Sequence, residues 1–152
     1  LYLPRNPTCT PLPGTLPPLL VAVHGGPTAR ASQALNLRTQ YFTTRGWAVL
    51  EVDYRGSTGY GRAYRSALNG RWGILDVTDC EDAVRSVIHD GLVDPARIAI
   101  RGSSAGGFTV LSALAQGNLF RAGVSLYGIG DLDALAAATH KFEARYLDTL
   151  LG

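Results

Sequence analysis

The sequence predicts an α/β protein with a mostly parallel sheet that is covered by helices on both faces. Three observations support this prediction. Short apolar runs rich in β-branched residues alternate with longer segments of helical composition. These runs are apolar almost throughout, as in strands that are buried on both sides of a parallel sheet. A length of 152 residues, with 46% hydrophobic and 17% charged residues, is enough for one domain with a core.

The first third of the chain predicts two strands and one helix. Residues 1–18 hold six of the eight prolines, which fix φ and remove backbone donors, so an extended linker or edge segment is expected. Residues 19–23 form the first predicted strand, which ends at the turn His24-Gly25-Gly26-Pro27. Residues 32–45 have a helical composition and are followed by a second strand at 47–54.

The rest of the chain continues the alternation. Thr78 and Glu81 have the spacing of a capping box, and apolar residues follow at helical spacing until Gly91, so a helix is expected to begin near Thr78. The remaining predicted elements are a strand at 97–100, a helix at about 105–116, a strand at 122–127 and two short helices in the last 20 residues.

Composition excludes several classes of function. A net charge of +2 without a basic cluster disfavours a nucleic-acid partner. No apolar run approaches the roughly 18–20 residues of a membrane span, so no membrane partner is expected. Cys9 and Cys80 make no disulfide framework, and we expect both to be free, Cys80 on the buried face of a helix. Free thiols are typical of a reducing compartment, which predicts a cytoplasmic protein.

One segment has the pattern of a catalytic nucleophile. Residues 101–107 contain G-x-S-x-G as Gly102, Ser104 and Gly106, between a predicted strand and a predicted helix. This is the context of a nucleophile elbow, in which a serine on a tight, strained turn exposes its oxygen above the sheet. The glycines let strand and helix pass closely, and the backbone N–H of Ala105 points at the oxygen of a tetrahedral intermediate.

A second oxyanion donor is expected from the turn after the first strand. In His24-Gly25-Gly26-Pro27, glycine allows a backbone N–H to face the substrate, and Gly26 is the candidate. Pro27 has no N–H, so the turn is one donor short of a His-Gly-Gly-Gly pattern. His24 is expected to be a structural hydrogen-bonding residue.

The glycine-rich turns have two other possible functions, phosphate binding and dinucleotide binding. Gly102 and Gly107 have the spacing of a phosphate-binding P-loop, but Phe108 stands where that loop has its lysine, which disfavours nucleotide binding. Gly59-Tyr60-Gly61 lacks the third glycine of a dinucleotide-binding turn. A purely structural Gly/Ser turn stays open, although the upstream His-Gly-Gly-Pro favours catalysis.

Three motifs together resemble the prolyl oligopeptidase family of serine peptidases, in particular its acylaminoacyl-peptidase and dipeptidyl-aminopeptidase branch. The motifs are, in order, 24–27 (HGGP), 53–61 (DYRGSTGYG) and 102–107 (GSSAGG), and the resemblance runs from about Leu19 to Gly152. It implies a partial α/β-hydrolase fold, with Ser104 as the nucleophile and with Gly26 and Ala105 as oxyanion donors.

The resemblance also implies a domain organisation and partners. Residues 1–18 would be the entry segment or linker and residues 19–152 the amino-terminal portion of the catalytic domain. The chain lacks methionine and begins without a signal-like stretch, so we interpret it as a piece of a longer polypeptide. A β-propeller upstream, the rest of the catalytic domain downstream and peptide substrates are expected. No metal or other cofactor is implied. Ile129 and Leu132 fall where the family lines its substrate pocket, although core packing explains them equally well.

The catalytic base is the point at which the chain departs from the family pattern. In this fold the triad runs Ser, Asp, His along the chain, yet only 48 residues follow Ser104. None of the available candidates has the expected place: His24, His89, His140, Asp131 and Asp133. The resemblance therefore places the acid and the histidine beyond Gly152, and we expect the isolated chain to be essentially inactive.

Two alternative functions stay open on the sequence. A carboxylesterase of the same fold is one, and a non-catalytic hydrolase-like binding module is the other.

Asp53 and Arg55 follow the second strand, where a structural ion pair is the favoured role. The strand at 122–127 is expected to expose an apolar edge, which would promote self-association of the isolated chain.

Overall fold

A computed structural model describes residues 1–132, 135 and 149–150 of this chain. The strands of the described part are β1 (Leu19–Val23), β2 (Ala48–Val52), β3 (Ile98–Ser103) and β4 (Ala122–Leu126). The helices are α1 (Leu37–Thr43), α2 (Arg62–Ser66), α3 (Leu75–His89) and α4 (Ala105–Gln116).

The four strands form one parallel sheet in the order β2-β1-β3-β4. The inward side chains of the strands pack against α3 and α4, and the core includes Val21, Leu50, Ile100, Val84 and Val110. Helix α1 lies on the opposite face, where Phe42 and residues of β1 and β2 line a small cavity. The predicted α/β class, with a parallel sheet and helices on both faces, is therefore confirmed.

The predicted boundaries of strands and helices are most accurate where an apolar run is followed closely by glycine. Strand β1 and helix α4 have the predicted limits, and the other strands differ by a few residues. Helix α1 is shorter than expected because Asn36 caps it, with Oδ1 accepting from the backbone N–H of Arg38 at 3.0 Å. The five-residue helix α2 was not predicted.

The predicted capping box is wrong. Helix α3 begins at Leu75, so Thr78 lies inside it and donates its hydroxyl to the carbonyl of Ile74 at 2.9 Å. Glu81 instead pairs with Arg85 one turn later, at 2.6 Å. Asp76, the second residue of the helix, accepts through Oδ1 from the N–H of Gly73, which precedes the helix, at 2.7 Å.

The amino-terminal segment runs along the outer edge of the sheet at its start. Tyr2 exchanges two backbone hydrogen bonds with Val49 of β2, at 2.8 and 2.9 Å, in antiparallel orientation. Asn6 then donates its side-chain amide to the carbonyl of Thr44 at 2.8 Å. An edge segment is one of the two forms that the prolines predicted.

Strand β4 is the last strand of the described sheet. Residues 122–124 are exposed, and Val124 has 48% of its surface accessible. The exposed apolar edge that the sequence predicted is therefore present in the described part of the chain. Self-association of the isolated chain stays a prediction. The two cysteines are free, with Cys9 exposed and Cys80 buried, as expected.

Candidate active site

Ser104 lies at the junction between β3 and α4, in a backbone conformation that side chains rarely adopt. Its φ is +54° and its ψ is −124°, and it is exposed while its neighbours 105–107 are buried. Non-glycine residues at positive φ carry strain, which is characteristic of functional sites. The structure confirms the predicted sharp, strained turn with its serine presented to solvent.

The glycines of the turn are required by close backbone packing. A Cβ on Gly102 would overlap the backbone of Gly106 in the helix. A Cβ on Gly106 would stand 2.6 Å from the carbonyl oxygens of both Val23 and His24. Since these neighbours are backbone atoms, they cannot move aside as a flexible side chain would. The prediction that both glycines allow strand and helix to pass closely is confirmed.

The two glycine-rich turns meet at one rim of the sheet. Val23 and Gly102 are register partners on the adjacent parallel strands β1 and β3, so both turns begin at the same level. A Cβ on Gly25 would lie 3.6 Å from the Cβ of Ser104. The turn after β1 therefore lies directly against the elbow, as expected for the carboxyl ends of neighbouring strands.

Two backbone N–H groups beside Ser104 have no hydrogen-bond partner among the described residues. Within the described residues, the N–H of Gly26 and the N–H of Ala105 donate no hydrogen bond. Gly26 is exposed with a φ of +125°, and Ala105 is the first residue of α4. Free N–H donors and a helix amino terminus favour a negative oxygen. This arrangement can stabilise an oxyanion, although the assignment of Gly26 and Ala105 to that task stays a prediction.

His24 is held by both of its ring nitrogens. Nδ1 lies 2.7 Å from the carbonyl oxygen of Gly25, and Nε2 lies 2.7 Å from Oγ of the buried Ser57. Because a carbonyl only accepts, Nδ1 carries the proton, and in the neutral ring Nε2 accepts from the Ser57 hydroxyl. Burial lowers the pKa of His24, against the opposing effects of the Gly25 carbonyl and the Asp53 carboxylate. Its predicted structural role agrees with these contacts.

A second layer of contacts supports the His24 turn. The Tyr54 ring stacks on the imidazole at 4.4 Å between centroids, and its hydroxyl donates to the carbonyl of Pro27 at 3.0 Å. Asp53 accepts from the backbone N–H of Ala31 and from the Tyr60 hydroxyl, each at 2.7 Å. Residues after β2 therefore hold the turn after β1.

The predicted ion pair of Asp53 with Arg55 is wrong in its partner. Arg55 pairs with Asp79 of α3, with Nε donating to Oδ1 at 2.9 Å, and its backbone N–H donates to the same carboxylate at 2.7 Å. Asp53 instead accepts from the backbone N–H of Ala31 after β1, so Asp53 and Arg55 bond to different elements. Both retain structural roles.

A buried contact behind the elbow was missed by the sequence analysis. The Thr109 hydroxyl of α4 donates to Oδ2 of Asp76 in α3 at 2.5 Å, and both residues are fully buried. Burial raises the pKa of the Asp76 carboxyl, while the bonds from Thr109 and the Gly73 N–H oppose that shift. The contact ties the helix that follows Ser104 to its neighbour.

The remaining predicted residues have simpler surroundings. Ile129 and Leu132 are half-buried against the core, so their role in a substrate pocket stays a prediction. His89 has 89% of its side chain exposed at the end of α3. The carbonyl of Asp131 accepts the Leu135 N–H at 3.1 Å, as at a helix start, which agrees with the capping role expected for it. His140 and Asp133 lie outside the described residues.

No grouping of three or more His, Cys, Asp or Glu side chains suited to a metal ion occurs in the described part of the chain. The described helices include none with the length and apolar character needed to cross a membrane.

Comparison with known proteins gives a consistent result. The sequence profile of the Prolyl oligopeptidase family matches residues 33–151. Dipeptidyl aminopeptidase BIII of Pseudoxanthomonas mexicana is 36% identical over 134 residues, which covers 88% of this chain and 19% of that enzyme. Among solved structures, a puromycin-hydrolyzing peptidase of Mycobacterium tuberculosis is 51% identical, with a TM-score of 0.96 over 99% of this chain and 23% of that one.

A more distant structure has the same fold. The acylaminoacyl peptidase of Pyrococcus horikoshii is 28% identical, with a TM-score of 0.83 over 91% of this chain and 23% of that one. The chain thus spans less than a quarter of the length of each of these relatives. All three are peptidases in name, and the two structures share the parallel sheet described above.

Proposed function

The chain belongs to the prolyl oligopeptidase family of peptidases, and from that premise we propose that Ser104 is the nucleophile of a serine peptidase. One observation carries the proposal: Ser104 is exposed at positive φ beside the turn 24–27, and the N–H groups of Gly26 and Ala105 have no described partner. The site thus combines a presented hydroxyl with donors for the charge that its attack creates.

The proposed reaction is an acyl transfer in two stages. Ser104 Oγ bonds to the carbonyl carbon of a peptide or acyl-peptide, while a histidine base takes the hydroxyl proton. The carbonyl oxygen becomes negative between the N–H groups of Gly26 and Ala105. The C–N bond then breaks, the leaving amine takes a proton, and water releases the acyl group from Ser104. No metal or other cofactor takes part in this scheme.

The base of this reaction is proposed to come from outside the described residues. Both ring nitrogens of His24 are engaged, by the Gly25 carbonyl and the Ser57 hydroxyl. His89 is exposed at the end of α3. In the subtilisin series, removing the base lowers kcat by about 10⁶. We therefore propose that these 152 residues alone are essentially inactive.

A substrate panel tests the proposal on the complete polypeptide that carries this chain. Aminoacyl-anilides, an N-acylated peptide, puromycin and an activated carboxylic ester are compared, before and after Ser104→Ala. We expect turnover of the amide substrates, and at least 10⁴-fold lower kcat in the variant. Undiminished turnover by Ser104→Ala would refute the nucleophile. Ester turnover without amide turnover would favour the carboxylesterase, and no reaction at all would favour the binding module.

The isolated 152-residue chain is assayed with the same panel. Ser104-dependent turnover by that chain would overturn its proposed inactivity. The presence of Pro27 in place of a third glycine favours the peptidase over the esterase.

We further propose a cytoplasmic enzyme that carries a β-propeller before residues 1–18. The free cysteines support a reducing compartment. The greater length of the relatives supports additional domains. The gene sequence on both sides of these residues tests the domain proposal, and cell fractionation tests the location.

A further inference from the structure

A cavity of about 860 Å³ lies at the end of the sheet opposite to Ser104. Its walls include residues that directly precede three of the parallel strands: Pro18 before β1, Gly46 near the start of β2 and Arg97 before β3. Ser104 follows β3, so the length of that six-residue strand, about 20 Å, separates the cavity from the candidate active site. A volume of this size is typical of small-molecule sites, and the proposed peptidase reaction makes no use of it.

The cavity is enclosed by the proline-rich amino-terminal segment, which is attached to the domain on both sides. On one side, Asn6 donates its side-chain amide to the carbonyl of Thr44 at 2.8 Å. On the other, the backbone N–H of Asp94 donates to the carbonyl of Pro17 at 2.9 Å. Residues 9–12, between these attachments, line the cavity. Hydrogen bonds across the fold therefore set the shape of this cavity.

The charged side chains that line the cavity are all basic. They are Arg5, Arg45 and Arg97, and no aspartate or glutamate is among the described residues that line it. Arg97 pairs with Asp94 at 2.6 Å. Arg5 and Arg45 form no ion pair with any acidic residue in the described part of the chain. A concave surface that carries charge of one sign attracts ligands of the opposite sign, so the cavity favours an anion.

Two of these guanidinium groups are held in place by neighbouring residues. Arg45 lies over the Tyr41 ring, 3.8 Å from its centroid, and its Nη1 donates to the carbonyl of Tyr41 at 3.1 Å. Arg97 donates from Nη2 to the carbonyl of Leu16 at 2.7 Å. Nη2 of Arg45 has no acceptor among the described residues and is available to a ligand. A guanidinium that is already ordered loses less side-chain entropy when it binds a carboxylate.

Apolar surface lies exposed in the same cavity. Leu12 has 75% of its surface accessible and Leu16 has 40%, and both line the cavity. Leu12 belongs to an ordered turn, since its carbonyl accepts from the N–H of Thr15 at 3.1 Å and from the Thr15 hydroxyl at 2.7 Å. An apolar group bound here would remove this leucine surface from water.

We propose that this cavity binds a small amphipathic anion, with its carboxylate on Arg5 and Arg45 and its apolar body on Leu12 and Leu16. Guanidinium groups match a carboxylate both in charge and in bidentate geometry. Medium-chain fatty acids and N-acylated apolar amino acids share this chemistry. The site goes beyond the proposed peptidase activity and does not depend on it, because Ser104 does not line the cavity.

Isothermal titration calorimetry on the complete polypeptide that carries this chain tests the proposal. Ser104→Ala is present throughout, so that no ligand is turned over at the candidate active site. The ligands are decanoate, octanoate, N-octanoyl-leucine and the uncharged 1-decanol. We expect a Kd of about 1 mM or lower for decanoate, as for a ligand of its size. Octanoate should bind roughly 5- to 15-fold more weakly because two methylenes are lost, and 1-decanol at least about tenfold more weakly because it lacks the charge.

Substitutions in the two parts of the cavity locate the binding. Arg45→Gln should raise the Kd of decanoate about tenfold and leave that of 1-decanol unchanged. Leu12→Asn should raise both dissociation constants by roughly 3- to 10-fold. Arg65→Gln is the matched control, because Arg65 is exposed in α2 and does not line the cavity. It should change the Kd of decanoate less than about twofold.

Three results would overturn the proposal. Equal affinity for decanoate and 1-decanol would show that the arginines do not bind the carboxylate. Equal losses in Arg45→Gln and Arg65→Gln would assign the effect to overall charge. Absence of decanoate and N-octanoyl-leucine binding would show that the cavity takes no such ligand, as when another part of the complete polypeptide fills it. Tighter binding of N-octanoyl-leucine or of decanoate supports the site and distinguishes the two sources of the carboxylate. Since only binding is measured, failure of the proposed peptidase activity would not alter these results.

Discussion

The two turns that meet at the site are held in place by different means. The elbow around Ser104 is fixed by backbone against backbone, where Gly102 and Gly106 leave no room for a Cβ. The turn after β1 is fixed by side chains, chiefly the hydrogen bonds of His24 and Tyr54. The elbow is therefore rigid, and the sequence shows it as glycines at a fixed spacing. The turn after β1 instead depends on separate side-chain contacts, and the residues that contact His24 come from the segment after β2.

The comparison predicts that the elbow tolerates the least change. Gly106→Ala would place a Cβ 2.6 Å from two backbone oxygens, and strand and helix would have to separate. We expect a loss of about 3 kcal/mol or more in the free energy of unfolding, together with loss of activity. Thermal and denaturant unfolding of the complete polypeptide would measure it.

Gly130→Ala is the matched control, because an added Cβ there meets nothing within 4 Å. It should change stability by less than about 0.5 kcal/mol. Similar losses in the two variants would contradict the account of the elbow.

Relief of the strain at Ser104 should raise the free energy of unfolding, by less than Gly106→Ala lowers it. A residue at φ +54° and ψ −124° carries strain of about 1–3 kcal/mol, which glycine relieves at a cost of about 0.5–1 kcal/mol in chain entropy. Ser104→Gly should therefore be more stable than Ser104→Ala by about 1 kcal/mol, with both inactive. Equal melting temperatures would show that the turn is unstrained.

The smallest predicted effect is a change of folding stability with pH. It comes from His24, in the turn after β1 that side chains hold in place. Burial lowers the pKa of His24 below its ordinary value of 6.5, while the Gly25 carbonyl and the nearby Asp53 carboxylate oppose the shift. As the pH falls below about 6.5, the unfolded chain binds a proton at His24 that the folded chain does not, so folding stability decreases.

His24→Asn removes this titration and leaves the other groups in place. The difference in melting temperature between the natural protein and the variant should shift against the natural protein from pH 7.5 to pH 5.5. A difference that is constant with pH would show that the His24 pKa is not lowered.

Local sequence patterns were enough to predict the fold class, the position of the elbow and the meeting of the two turns. These features follow from local patterns: apolar runs of strand length, glycines at fixed spacing, and the rule that parallel strands end at one rim. Ser104 and its glycines were recognised for the same reason, since their geometry is made within residues 102–107 and the strand beside them.

Contacts between side chains that are distant in the sequence could not be predicted in this way. His24 with Ser57, and Asp76 with Thr109, are each 33 positions apart, and Arg55 with Asp79 are 24 apart. Local spacing does not encode such pairs. The capping box at Thr78 was wrong because α3 begins at Leu75, where the buried carboxyl of Asp76 bonds to Gly73 and to Thr109. Burial and distance select these partners, and both exist only once the sheet and its helices have packed.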